Sequence, residues 1–241
     1  MTGYADFYRR SIDDRDGFWS EQAGMIDWRT QPTQVCDYSR PPFAKWFVGG
    51  TTNLCHNAVD RHLMTRPDQP ALIAVSTETN TEQVYSFAQL HAEVQRMAAA
   101  LQALGVKQGD RVLIYMPMIA EASFAMLACA RIGAIHTVVF GGFAAGSLAS
   151  RIEDASPVVI VSADAGSRGG KVVEYKPLLD EAIATSSHKP AAVLMVDRSL
   201  ADFERVLTSQ RTLLSQEELL ATTRGNLTQS LVSLYKAMGG G

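Results

Sequence analysis

The sequence predicts an α/β fold, a mostly parallel sheet flanked by helices, on three observations. The continuous apolar run at 112–116 and the branched-residue-rich segments at 135–139, 158–162 and 192–196 have the length and composition of strands in a buried sheet. Helical segments separate them, and a strand–helix–strand alternation pairs strands in parallel. Glycine-rich segments follow two of the strands, where open sheets of this kind receive ligands.

From the amino terminus, residues 1–50 are rich in aromatic side chains such as Phe7, Phe18, Trp19, Trp28, Trp46 and Phe47, and are broken by Pro32, Pro41 and Pro42. Short helices and loops, wrapped over a larger body, are the expected outcome. A helix is predicted over 54–64, ending near Arg66-Pro67, and strands over 71–76 and 83–85 around a polar turn. Ser86 and Gln89 form a capping box. Phe87, Leu90, Val94, Met97, Ala98, Leu101 and Leu104 then follow three-four spacing up to a stop at Gly105. Pro117 closes the run 112–116, and a helix is predicted from there to about Ala130. Further helices are predicted over 148–154 and 177–184, with Pro177 starting the second and Asp180 and Glu181 in its first turns. Beyond Val206 the composition shifts to Leu, Ser, Thr and Gln without strand pattern. The pattern there allows two short helices, to be capped at Ser215 with Glu218 and at Asn226 with Gln229.

A chain of 241 residues, 46% of them hydrophobic, buries a core as one large or two small domains. A formal net charge of −3 gives no pull toward nucleic acid or an anionic membrane, so the expected partners are small molecules or proteins. Cys36, Cys55 and Cys129 are an odd, scattered set without a CxxC pair, which argues against a disulfide framework or structural zinc. With no signal-like amino terminus and no uninterrupted apolar span, a cytoplasmic location is expected.

Two segments carry candidate chemistry. Phe140-Gly141-Gly142-Phe143 offers an aromatic face and close backbone approach, or is only a tight turn with both rings in the core. Arg168-Gly169-Gly170-Lys171 places two cations three residues apart, suited to phosphates, or is an exposed loop with solvated charges. The latter is not a P-loop. The spacing from Gly166 to Lys171 is one residue short, and Val172 stands where a magnesium-binding hydroxyl belongs. Gly49-Gly50-Thr51-Thr52-Asn53 reads as a cap before Leu54. The five histidines show no i, i+4 pairing, and Cys55-His56 point apart on a helix, so no catalytic residue and no metal ligand is assigned.

Taken together, several segments resemble the acetyl-CoA synthetase branch of the AMP-forming acyl-CoA synthetases, and within it the propionyl-CoA synthetase group. The resemblance is carried by Phe7-Tyr8-Arg9-Arg10, Phe18-Trp19, Ile26-Asp27-Trp28, Thr52-Asn53-Leu54-Cys55-His56-Asn57-Ala58 and Gly109-Asp110-Arg111. It continues through Ala130-Arg131-Ile132-Gly133, Val139-Phe140-Gly141-Gly142-Phe143, Ser162-Ala163-Asp164-Ala165-Gly166 and Val196-Asp197-Arg198. It implies an organisation into a wrapping segment over 1–50, part of an AMP-binding domain over 51–206, and a tail over 207–241 outside the family. By that resemblance the full-length enzymes join a short carboxylic acid to ATP, with magnesium, and pass the acyl group to CoA. Phe140, Gly141, Gly142, Arg168, Gly169, Gly170 and Lys171 then belong to the surface for the CoA nucleotide, with Lys171 where arginine is common. The family's phosphate loop, acid pocket, ribose aspartate and carboxy-terminal catalytic lysine find no counterpart in the 241 residues. Truncation, weak or partial CoA binding, no ligation by this polypeptide alone, and self-association through an uncovered sheet edge are the resulting expectations.

Overall fold

A computed structural model describes residues 3–76, 80–168 and 171–198, and the chain divides into two compact units, Met1–Met64 and Thr65–Gly241. The expected helices at Ser215 and Asn226 lie outside the described residues.

In the first unit, helices α1 (Tyr4–Asp13) and α2 (Arg15–Ala23) are followed by an antiparallel hairpin, β1 (Gln34–Arg40) and β2 (Phe43–Val48). The hairpin replaces part of the loop expected here. Pro41 and Pro42, joined by a cis peptide bond, sit in its turn, where a missing N–H costs the ladder nothing. Aromatic rings form the packing of this unit: Phe7 on Phe18 at 4.7 Å, Phe18 on Trp19 at 5.2 Å, Trp19 on Trp46 at 5.8 Å, and Phe47 on Trp28 at 5.5 Å. The helix predicted over 54–64 is shorter than expected. Asn53 caps α3 (Leu54–Ala58) by accepting from the His56 N–H, and the chain leaves helical geometry at Val59 before a single 3-10 turn at Asp60–His62. Asn57 ties this corner to the preceding loop. Its amide group accepts from the Asp27 N–H at 2.8 Å and from Arg61 at 2.9 Å, while its Nδ2 donates to Thr52 Oγ1 at 2.8 Å.

The second unit begins with an antiparallel ribbon, β3 (Pro70–Ser76) and β4 (Thr81–Ser86), leading into α4 (Phe87–Ala103). Both halves of the Ser86–Gln89 capping box form. The helix ends as expected: Gly105 adopts φ +91°, and Val106 N–H donates to Leu101 C=O. Ile73, Val75 and Val84 share one face of the ribbon, with Ile73 opposite Val84, and that face is exposed.

The main sheet contains β5 (Arg111–Met116), β6 (Ile135–Phe140), β7 (Val159–Ala163) and β10 (Ala192–Val196), all parallel in the order β10-β7-β5-β6. Helices α5 (Ala120–Ile132), α6 (Ala145–Ala155) and α7 (Tyr175–Thr185) make the crossovers. The order reverses between β5 and β7. Right-handed crossovers therefore put α5 on one face and α6 and α7 on the other, which explains why every residue of β7 is buried. Between β7 and α7 lies a short hairpin, β8 (Ala165–Arg168) and β9 (Lys171–Glu174), that the sequence reading treated as loop.

Pro177 does not start α7. The helix begins at Tyr175 and Pro177 is its third residue, still within the turn whose N–H groups have no helical acceptor, so the missing donor is tolerated. Asp180 consequently falls outside the first turn and pairs with Lys176 one turn back. At the other end Lys189 Nζ donates to the carbonyls of Ile183, Ala184 and Ser186, closing the helix electrostatically. Among the described residues no helix is long and apolar enough to cross a membrane. All three cysteines are buried and free, and burial pushes the Cys129 thiol up to about 12.

Candidate functional site

The two segments singled out in the sequence converge beyond the carboxyl ends of the parallel strands. β6 ends at Phe140, and β8, which leaves the end of β7 through Asp164, delivers Arg168 to the same place. The Arg168 guanidinium carbon lies 5.9 Å from the centre of the Phe140 ring, a cation–π contact. Phe140 is 55% exposed, so the alternative of a core ring does not hold. Gly142 makes the pairing possible. A Cβ there would lie 2.8 Å from Phe140 Cε1 and 2.9 Å from Arg168 Nη1, too close for any side chain without displacing both.

Lys171 is the register partner of Arg168 across the β8–β9 hairpin, so the two cations flank its tip. Both are exposed, and among the described residues neither is paired with a carboxylate. Gly169 and Gly170 lie outside the described residues. Gly141 faces inward: its missing side chain points at the Tyr175 hydroxyl, 2.8 Å from an added Cβ. The inward glycine is therefore filled by protein, whereas Gly142 faces the exposed pair.

Two further groups belong to this surface: Phe143, from the glycine-flanked segment already singled out, and Arg151, which was not read from the sequence. Phe143 meets Phe140 edge-on at 6.2 Å, and the Arg151 guanidinium carbon, from α6, lies 4.4 Å over the Phe143 ring. Two adjoining rings, Phe143 and Phe140, thus lie between two guanidinium groups, Arg151 and Arg168. Arg151 precedes the buried Ile152 on a helix, and nothing in local sequence marks it as sharing a surface with a residue after β6. Below the surface Tyr115 donates from its hydroxyl to the Phe143 carbonyl at 3.1 Å, and burial, with the neighbouring Tyr175, pushes its phenol up to about 12.

Asp164 anchors the root of the hairpin. It is 3% exposed; its N–H donates to Val196, its carbonyl accepts from Tyr175 and Lys176, and Oδ1 accepts from Arg198 N–H at 2.9 Å. Oδ2 has no partner. Burial raises this carboxyl above the ordinary carboxylate value despite the backbone donors, with Asp197 adding to the effect. The folded state therefore holds this proton more tightly than the unfolded chain does, and stability falls as pH rises from the ordinary value through the raised one. Asp164→Asn keeps an acceptor for Arg198 and removes the charge. Its unfolding free energy, measured in urea from about pH 4 to about pH 7, is expected to lack that downward component relative to wild type.

His56, in the first unit, lies 3.3 Å from Asp27 Oδ2, a pairing across 29 positions that sequence spacing does not reveal. Among the described residues no cluster of three or more His, Cys, Asp or Glu forms a candidate metal centre.

A parallel sheet whose order reverses beside its centre, with cations and aromatic faces gathered past its carboxyl edge, defines an α/β protein of the open-sheet, ligand-binding class. Comparison with known proteins makes this specific. The chain belongs to the AMP-binding enzyme family, whose model matches residues 59–227, and the acetyl-coenzyme A synthetase N-terminus model matches residues 4–58. The AMP-binding match thus continues past Val206. The chain is 63% identical over 198 residues to the propionate–CoA ligase of Salmonella typhimurium, covering 82% of this chain and 32% of that protein. It is 61% identical over 203 residues to the propionate–CoA ligase of Escherichia coli, covering 84% and 32%. The acetyl-coenzyme A synthetase of Streptomyces coelicolor is 50% identical over 179 residues, covering 74% and 28%. Among solved structures, acetoacetyl-CoA synthetase from Streptomyces lividans superposes with a TM-score of 0.76 at 33% identity, over 84% of this chain and 31% of that one. The chain spans about a third of the length of the propionate–CoA ligases it matches.

Proposed function

We propose that this chain is the part of an AMP-forming short-chain acyl-CoA synthetase that faces the nucleotide of CoA, in an enzyme whose acid substrate is propionate. The observation that carries the reading is the convergence of Phe140, Gly142 and Arg168 on one exposed surface, with Lys171 beside it. Such a surface stacks a purine on an aromatic face and meets phosphate oxygens with a guanidinium and an ammonium. The propionate assignment rests on the identity to propionate–CoA ligases, and ATP with magnesium enters as the chemistry of the whole enzyme. The test is calorimetry of the 241-residue chain with CoA and with CoA lacking its ribose phosphate. Weak binding of CoA that drops when that phosphate is removed is expected; equal or absent heats refute the reading.

A second reading, self-association, is favoured by the outer strand of the sheet. β6 is a terminal strand, its outer backbone edge has no strand partner among the described residues, and Ile135 and Val138 on it are 58% and 53% exposed. Sedimentation velocity is expected to show a dimer growing with concentration, and Val138→Lys to abolish it. A monomer at every concentration refutes this reading.

A further inference from the structure

We propose that Tyr175 is a positioning residue that sets the separation between the Phe140 ring and the Arg168 guanidinium. The inference rests on reading this surface as the CoA-nucleotide site. Its basis is a steric coincidence. A Cβ built on Gly141 would lie 2.8 Å from the Tyr175 hydroxyl oxygen, and one built on Gly166 would lie 2.6 Å from the same atom. Two backbone segments far apart in sequence therefore rest against a single phenol oxygen. Gly141 adjoins Phe140, and Gly166 lies two residues before Arg168 on the same strand.

Tyr175 is itself held in place by its backbone and by a neighbouring ring. Tyr175 is the first residue of α7, 5% exposed, and its N–H donates to the Asp164 carbonyl at 2.9 Å, which closes the base of the β8–β9 hairpin. Its ring lies 5.3 Å from that of Tyr115, whose own hydroxyl donates to Phe143. One tyrosine thus supports the segment after β6 at Gly141, and its neighbour supports it at Phe143. The same ring blocks β8 at Gly166. A smaller residue at 175 leaves both segments without their common stop, and a larger one at 166 drives them apart.

The experiment combines Tyr175→Ala, Gly166→Ala and Arg168→Ala in the 241-residue chain. Titration with CoA is expected to weaken about tenfold in Tyr175→Ala, and Arg168→Ala is expected to cost less than about threefold in that background, because displaced groups no longer act together. Gly166→Ala is expected to weaken binding as well, with part of the loss recovered in the Gly166→Ala/Tyr175→Ala double variant. Amide exchange is expected to quicken in Tyr175→Ala at 141–143 and 165–168 and to stay unchanged in β10. Additive losses in binding, or unaltered exchange in both segments, overturn the proposal. If wild type binds no CoA, the site reading fails while the exchange result still decides the positioning role. Should Tyr175→Ala not fold, Tyr175→Phe removes the atom nearest the added methyl, and Gly166→Ala must then cost less in that background than in wild type.

Discussion

Replacing Arg168 with alanine is expected to weaken CoA binding about 10- to 100-fold, the equivalent of losing a charge-assisted hydrogen bond worth about 1.5–3 kcal/mol. The guanidinium is exposed and stacked on Phe140, and among the described residues it has no carboxylate to satisfy first, so its interaction with an incoming phosphate is not offset by a broken ion pair. Arg168→Lys is expected to recover only part of the loss, since an ammonium keeps the charge but neither the planar fork nor the stacking face. The wild-type affinity should fall with added salt, and less steeply in Arg168→Ala, because exposed charges are screened within about 10 Å at 0.1 M salt. Calorimetry at two ionic strengths checks both expectations. An Arg168→Ala chain that binds CoA as wild type does would remove this residue from the site.

The largest stability effect is expected at the centre of the sheet. Leu113, with no exposed surface, lies on β5 between Thr137 of β6 and Ile160 of β7. Leu113→Ala leaves a cavity in a layer packed on both faces, a change that costs about 2–5 kcal/mol, out of a total of about 5–15 kcal/mol for a typical domain. By contrast Ile73→Thr, on the exposed face of the β3–β4 ribbon, is expected to cost no more than about 0.5 kcal/mol. Urea unfolding followed by far-ultraviolet circular dichroism separates these outcomes, and a Leu113→Ala midpoint within error of wild type would contradict the packing described.

Strands β5 and β7 were legible in the sequence because burial on both faces keeps them almost wholly apolar, β6 was legible from its branched residues although most of it is exposed, and α4 was legible because its capping box is local chemistry. The β8–β9 hairpin was not: Ala165-Gly166-Ser167-Arg168 has no β-branched alternation, and its pairing partner follows immediately. The turn at Pro41-Pro42 was read as an interruption because proline excludes a ladder interior equally well whether a loop or a hairpin results. Phe140 and Arg168 could each be named from their local surroundings and from the family resemblance. Their proximity depends on the reversal of strand order between β5 and β7, which no single segment encodes. Gly141 shows the limit most clearly. Its lack of a side chain suggested ligand approach, yet the space is taken by Tyr175, which arrives from the start of α7.

Trp19, Trp28 and Trp46 all belong to the ring packing of residues 1–64, and the remaining residues contain no tryptophan. Indole emission is consequently a private optical channel for that unit. A melting curve recorded through it follows the aromatic stack alone, and the parallel sheet needs a different spectroscopic signal to be seen at all.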